Sequence, residues 1–400
     1  MDENQYVCTS CIGDEIIRLR IEELGSVAFC SYCGEKGLVV DFEELAVWVD
    51  VTYRACFKLS NYDFDDSGES SDEVINNMLK VDNCSIGEDL SAYLSSLEHR
   101  AVSKGDDPMY EAGQSYVHQD IDGIEHNELW QAFCRSIKHE SRFFSLSAKD
   151  FLDSIFDGIE EQLTYRNEKL IDSTRLDIIF RARRAGSKSE LDKILADPER
   201  ELYAPPESVA PNGRMNANGI SIFYGAFDSE TCLAEVRLAV GEIAVVAAFS
   251  SSEALKVFDA TKLEHLSNNL SYFASDYLMR SSQIVFLSEF QQVISRPVMP
   301  GTESLDYLPT QAMTEYLATF KGVDAILFSS SQTPGKNAAV LVSRIKLESR
   351  GDFVKYEERQ KPLSLIEGSV GIHKIQSVRY ESEKVSQNFG GFETSDDLAT

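Results

Sequence analysis

Between Gly213 and Arg237 the chain reads GRMNANGISIFYGAFDSETCLAEVR, which gathers residue types able to handle an anion and a sugar. Arg214 stands in a turn whose glycines, Gly213 and Gly219, permit the close backbone approach that a phosphate site needs. Tyr224 closes the apolar run Ile220, Ile222, Phe223, Tyr224. Asp228 and Ser229 mark a helix start, and Glu235 follows two turns in, on a helix expected from Glu230 to about Val240. The neighbours of Glu235 three and four positions away are Thr231, Cys232, Leu238 and Ala239. On that small, apolar surface its carboxylate is expected to be partly desolvated and to need a partner or a task. An ion pair with Arg237, Arg214 or Arg181 is the plain alternative. Downstream, Ser329, Ser330 and Ser331 follow the strand VDAILF, where α/β folds often place polar site residues. A polar loop without a task is the alternative there.

A second constellation is Cys8, Cys11, Cys30 and Cys33, two CxxC pairs separated by eighteen residues. This is the spacing of a four-thiolate zinc site. Gly34 permits the tight turn after the second pair. A redox dithiol would need only one pair. With no spare histidine or carboxylate nearby, the site is expected to be closed and structural.

Other candidates are weaker. Arg135 and His139 could pair on one helix face as in an RNase, but the Arg-x4-His spacing of HEPN nucleases is absent, since only three residues separate them. The run 61–73, NYDFDDSGESSDE, has six acids and no base. It reads as a solvated loop, and it lacks the alternating ligands of a calcium-binding EF-hand. G-x-S-x-G, G-x-G-x-x-G and G-x4-G-K-[ST] are all missing, which argues against a hydrolase elbow, a Rossmann dinucleotide site and a P-loop.

The elements that must position these groups follow from periodicity. Residues 42–59 mix helix and strand. Helices are expected around Leu90–Leu97, Glu128–Ile137 and Ala148–Thr164. The last carries a stripe of Phe151, Leu152, Ile155, Phe156 and Ile159, expected to pack within the N-terminal half. RLDIIFRARR, with Arg181 and Arg183, reads as a strand entering a basic patch. A helix Lys188–Leu195, the strands EIAVVAAF, LKVFDA, VDAILF and AAVLVSRIKL, and helices over 272–294 and PTQAMTEYLATF complete an interleaved α/β or α+β region from about 173 to 350. The organisation expected is a cysteine-bearing subdomain at 1–60, a mainly helical region at 61–172, the α+β domain at 173–350, and an extension at 351–400. The last twenty residues of that extension read as a disordered tail.

Four hundred residues exceed one ordinary core. The formal net charge of −28, from 38 basic and 66 acidic side chains, opposes general nucleic-acid binding and attraction to anionic membranes. It serves solubility or docking on a basic partner. No apolar run approaches the length of a membrane helix, and the start MDENQY does not have a secretory pattern. A cytoplasmic protein with reduced or metal-bound cysteines is expected.

The motif Gly213–Arg237, with IFRAR before it and PTQ…E and ILFSSSQTPGKNAAVLV after it, resembles the RES domain over about residues 173–350. The CxxC half is similar to the zinc-bearing domain of longer HEPN/RES N-terminal proteins. The resemblance implies a mixed-sheet, ADP-ribosyltransferase-like α+β fold and consumption of NAD+ by a bacterial toxin or defence effector. Carried over by motif, Arg214, Tyr224, Glu235 and Ser330 are catalytic. Arg181, Arg183, Arg214, Tyr224 and Ser329 would bind NAD+, with Ser329 an alternative to Ser330. The four cysteines would hold structural Zn2+. In many small family members an antitoxin is the partner. For this longer chain an antitoxin, another protein, self-association, or an inactive nucleotide-sensing module all stay open.

Overall fold

The computed structural model describes residues 5–60, 68–101, 109–111, 113–119, 124–143, 145–296, 298, 301–342, 346–350, 353–357 and 361–379. The chain folds as two compact units: Met1–Gly123 with Asn268–Val285, and Ile124–Ser267 with Phe286–Thr400.

In the first unit the strands Tyr6–Cys8, Lys36–Asp41 and Ser26–Phe29 form an antiparallel sheet with Lys36–Asp41 in the middle. Asp14 caps the helix Glu15–Leu24 through Ile16 N and Ile17 N, and Asp41 caps Phe42–Cys56 through Glu43 N. That second helix buries Phe42, Leu45, Ala46, Val49, Tyr53 and Cys56 at helical spacing, and the strand Phe57–Leu59 follows at once. Residues 61–67 of the expected acidic loop lie outside the described residues. Its end is helical, because Ser70 and Glu73 form a capping box that starts Ser71–Leu79. Helix Cys84–Ala101 covers the expected Leu90–Leu97 segment.

The second unit is α+β. Its nine-stranded sheet runs in the order Leu363–Leu365, Ile243–Ser251, Ile179–Ala185, Ile222–Ala226, Lys336–Leu341, Ala325–Ser329, Leu255–Asp259 and Ile171–Thr174, and Gly371–Lys374 also pairs with Ile243–Ser251. Leu255–Asp259 and Ala325–Ser329 are parallel, and the other pairs are antiparallel. One face packs Phe223, Val245, Phe249 and Val340 against Ile194 and Leu202. The other packs Ile222, Phe258, Ile326 and Ala339 against Phe156, Phe290, Ile294 and Met313.

Ile179–Ala185 and Ile222–Ala226 meet at a single pair, Phe180 with Ala226, whereas each pairs along its length with its other neighbour. The sheet therefore parts between them. Gly225 lies at the junction, where a Cβ would run into the Ile179 side chain and lie 2.8 Å from Phe180 O.

The structure departs from sequence expectation in several elements. The helix expected to reach Thr164 spans Leu146–Phe156, because Asp157 is extended and Gly158 has φ 65°. Its buried stripe belongs to the second unit, with Phe258 and Phe286, rather than to the N-terminal half. The expected strand AAVLVSRIKL is two strands, Lys336–Leu341 and Lys346–Arg350, and the latter pairs with Phe353–Glu357. The segment 363–374 adds two edge strands, and the expected disordered tail lies outside the described residues. No described helix is long and apolar enough to cross a membrane.

Candidate active site

The turn that carries Arg214 is fixed from both ends. Gly213 and Asn216 exchange backbone hydrogen bonds of 2.9 and 3.3 Å. The Asn216 amide donates to Pro211 O, Ala217 O and Ile220 O. From the helix Leu308–Phe320, buried Gln311 donates through Nε2 to Asn212 Oδ1, Gly213 O and Asn216 O at 2.7–2.8 Å. A Cβ at position 213 would lie 2.5 Å from Asn216 Oδ1 and 2.8 Å from the Tyr224 hydroxyl, so a side chain there would displace the pair that holds the turn.

Tyr224 locks the same turn from the sheet. Its hydroxyl donates to Asn216 Oδ1 at 2.8 Å and accepts from Met215 N at 2.9 Å. Burial pushes its phenol above the ordinary tyrosine value. Arg214 donates through Nη1 to Ile294 O and through Nη2 to Arg296 O, both at 2.7 Å, and its guanidinium lies 5.4 Å from the Tyr307 ring. Burial lowers its pKa from the ordinary arginine value, while Tyr307 and Glu235 act in the opposite direction. Arg181 reaches across the parting of the sheet to donate to Tyr224 O, and its guanidinium lies 5.2 Å from the Phe223 ring. Burial lowers its pKa too. Arg183 is held elsewhere, by Glu201 O at 2.7 Å and Glu201 Oε2 at 2.9 Å.

Glu235 lies on the helix Ser229–Val236, capped by Asp228 through Thr231 N at 2.7 Å. The helix ends earlier than expected, at Arg237, a non-glycine residue with φ 54°. Leu238 and Ala239 therefore fall beyond the helix, and Glu235 is exposed rather than desolvated. Its Oε1 accepts two hydrogen bonds, from Ser330 Oγ at 2.6 Å and Asn337 Nδ2 at 2.7 Å.

The serine loop is tied to this helix. Gln332 N donates to Ser330 Oγ at 3.0 Å, and Ser330 N donates to Gly335 O at 2.9 Å. Thr333 Oγ1 meets Thr231 Oγ1 at 2.7 Å, and Thr231 Oγ1 donates to Asp228 Oδ2 at 2.7 Å. Ser329 is turned to Gln291, whose Nε2 donates to its Oγ at 3.0 Å.

Glu235 and Ser330 are thus in direct contact. Arg214, Tyr224 and Arg181 form the frame of the neighbouring turn and strands, and Arg183 is engaged by Glu201. Sequence reasoning missed Asn337 and Gln311. The one available signal for Asn337 was an amide opening the apolar run AAVLV, a costly choice for a buried strand. Arg135 and His139 gave no second site: Arg135 Nε lies 3.8 Å from Glu140, in a chain that passes from helix Ile124–Arg135 into the π-helical turn Ser136–Glu140.

In the first unit the sulfurs of Cys8, Cys11, Cys30 and Cys33 all lie within 4.8 Å of one another. Cys8 and Cys33 are 3.6 Å apart, and Cys11 and Cys30 are 3.8 Å apart. The second knuckle closes through Gly34 N to Cys30 O at 3.0 Å, with Gly34 at φ 73°. Burial alone would push the Cys30 thiol up. Backbone N–H groups of Cys33, Tyr32 and Cys8 outweigh that effect and hold it at about 7. The four cysteines make a group able to hold a metal ion.

Comparison with known proteins places a RES domain model on residues 179–352, which include the parted strands, the Arg214 turn, Glu235, Ser330 and Asn337. The chain carries a RES domain. A search of curated proteins gave no match. Among solved structures, the crystal structure of the M. tuberculosis MbcT–MbcA toxin–antitoxin complex is similar at 12% identity, over 56% of this chain and 93% of that one, with a TM-score of 0.27. The strands Ile171–Thr174, Leu363–Leu365 and Gly371–Lys374 of the sheet lie outside the RES match.

Proposed function

We propose that the RES domain cleaves the nicotinamide–ribose bond of NAD+, with Glu235 as the residue facing the ribose. The observation that carries this reading is the Glu235 carboxylate, exposed on one side and held on the other by Ser330 and Asn337. Departure of nicotinamide leaves positive charge on the ribose carbon, as in glycoside cleavage. A fixed carboxylate stabilises that charge without reorganising. Nicotinamide leaves neutral, so the leaving group needs no general acid, which suits a carboxylate whose described partners are Ser330 and Asn337. Arg214 and Arg181 supply positive charge for the pyrophosphate, and Tyr224 holds the turn that carries Arg214. The released ADP-ribose passes to water, to phosphate or to a protein side chain. The reading covers a cytoplasmic bacterial toxin or defence effector, restrained by an antitoxin or other protein partner.

Incubating the full-length protein with NAD+, with and without phosphate, tests the reading by chromatography of nicotinamide and of the ADP-ribosyl product. Wild-type protein should release nicotinamide, and Glu235→Gln should lower release by about a hundredfold or more. Equal release by the two proteins would sink it.

The second reading is a nucleotide-binding module without turnover. It is favoured by Arg214 and Tyr224, which hold the turn through Ile294 O, Arg296 O and Asn216 and so act as its frame rather than as reacting groups. Calorimetric binding of ADP-ribose without loss of NAD+ would support it.

We further infer that the metal held by Cys8, Cys11, Cys30 and Cys33 is zinc in a structural role. A tetrahedral ion with Zn–S bonds of about 2.3 Å places sulfurs about 3.8 Å apart, close to the 3.6 Å between Cys8 and Cys33 and the 3.8 Å between Cys11 and Cys30 in a cluster spanning at most 4.8 Å. Bound there, zinc would cross-link the two knuckles; the four thiolates leave no position for substrate.

A further inference from the structure

Asn337 stands on the strand Lys336–Leu341, between Ala226 of one neighbouring strand and Phe328 of the other, and is 5% exposed. An amide is an expensive side chain at such a position unless its donors and acceptor are used. Its Nδ2 donates to Glu235 Oε1 at 2.7 Å. The same oxygen takes the Ser330 hydroxyl proton at 2.6 Å, and Gln332 N, donating to Ser330 Oγ at 3.0 Å, occupies an acceptor position of that hydroxyl and helps aim its proton at the carboxylate. Two donors from different strand ends therefore converge on Oε1. No described residue donates to Oε2.

From this asymmetry, and resting on the reading of Glu235 above, we propose that Asn337 is a positioning residue for the cleavage. It clamps Glu235 Oε1 so that Oε2 alone is presented to the ribose. Ser330 contributes a hydroxyl on a loop, which can rotate. Asn337 contributes a planar amide from a strand inside the sheet, where burial limits its rotation. The amide thus fixes the place of Oε1, and with it the side from which Oε2 is presented, before substrate arrives.

Two substitutions probe the position, and one of them separates a structural role from a positioning role. Asn337→Asp keeps the size and polarity of the side chain but sets a second carboxylate against Glu235. Asn337→Leu keeps the volume, suits a strand, and merely removes the donor. Asn337→Asp buries a charge beside Glu235 and is damaging under either role. Asn337→Leu separates the two: were Asn337 only part of the packing, it would leave kcat and KM at wild-type values, whereas a positioning residue loses kcat at unchanged KM.

The experiment is steady-state NAD+ cleavage by the full-length protein, alongside thermal melting of each variant. Asn337→Leu is expected to lower kcat by about tenfold to a hundredfold with KM within about threefold of wild type. Asn337→Asp is expected to lower kcat further. Wild-type kcat in Asn337→Leu, or a rise in KM at unchanged kcat, would overturn the inference. If Asn337→Asp does not fold, the kcat and KM of Asn337→Leu decide. A wild-type protein that releases no nicotinamide at all would instead remove the proposed function, and this inference with it.

Discussion

Tyr224 shows how far a single side chain can depart from the role its position suggests. Its hydroxyl is used to bridge Met215 N and Asn216 Oδ1, on the turn that carries Arg214. Tyr224→Phe keeps the ring and removes both bonds, leaving a buried donor and acceptor without partners. Such groups cost about 1–3 kcal/mol when left unmet. We expect a loss of that size in denaturant unfolding, with a smaller fall in NAD+ cleavage than Glu235→Gln produces; a variant as stable as wild type would show that the hydroxyl does not hold the turn. The residue types of the site were legible in the sequence, because Arg214, Tyr224 and Glu235 are close in the chain. The partners that define their work were not. Ile294, Arg296, Gln311 and Asn337 lie 80 or more residues from the partners they bind, and periodicity carries no trace of a contact over that distance.

At the scale of elements, the serine loop and the helix Ser229–Val236 are one assembly. Gly335 is the contact that lets them close: a Cβ there would run into Thr231 Oγ1 and lie 2.7 Å from Asp228 Oδ2, two atoms hydrogen-bonded to each other beside the helix cap. Gly335→Ala must push the loop away and carry Ser330 off Glu235. We expect cleavage to fall by about tenfold or more, while the core Ala338–Val340 stays buried and the melting temperature of the second unit changes by only a few degrees. Full activity in Gly335→Ala would mean that Ser330 does not need its place beside Glu235. The cap at Asp228 was readable from its residue type, and so were most strands, since runs such as AVVAAF have few alternatives. The helix ends were not. Arg237 adopts a left-handed backbone that no rule for arginine anticipates, and two edge strands from 363–374 were hidden in a segment with little apolar pattern.

The whole molecule consists of two units with separate cores, and this separates what metal and substrate stabilise. The first unit gathers Ile17, Leu45, Val49, Tyr53 and Met78 around its helices, while the cysteine cluster packs with Val39 on its small sheet. The second has its own core on both faces of the nine-stranded sheet. A metal bound by four thiolates should therefore stabilise the first unit, and NAD+ or ADP-ribose the second. Calorimetry should accordingly resolve two transitions, with a chelator lowering one and ADP-ribose raising the other. The metal-dependent transition should also depend on pH in a definite direction. Binding needs thiolates, and burial, together with the neighbouring thiols, holds Cys8 and Cys11 protonated above the ordinary thiol value, while Cys30 is held at about 7. Each proton regained as pH falls competes with the metal, so affinity drops on acidification and rises toward alkaline pH. Between pH 8 and pH 5.5 the first transition should fall toward its chelated position, and Cys8→Ser with Cys30→Ser should place it there at every pH. Metal analysis of the same samples should find about one zinc per wild-type chain and none in the double variant. A transition indifferent to chelator, to acid and to the two serines would show that the cluster holds no structural metal.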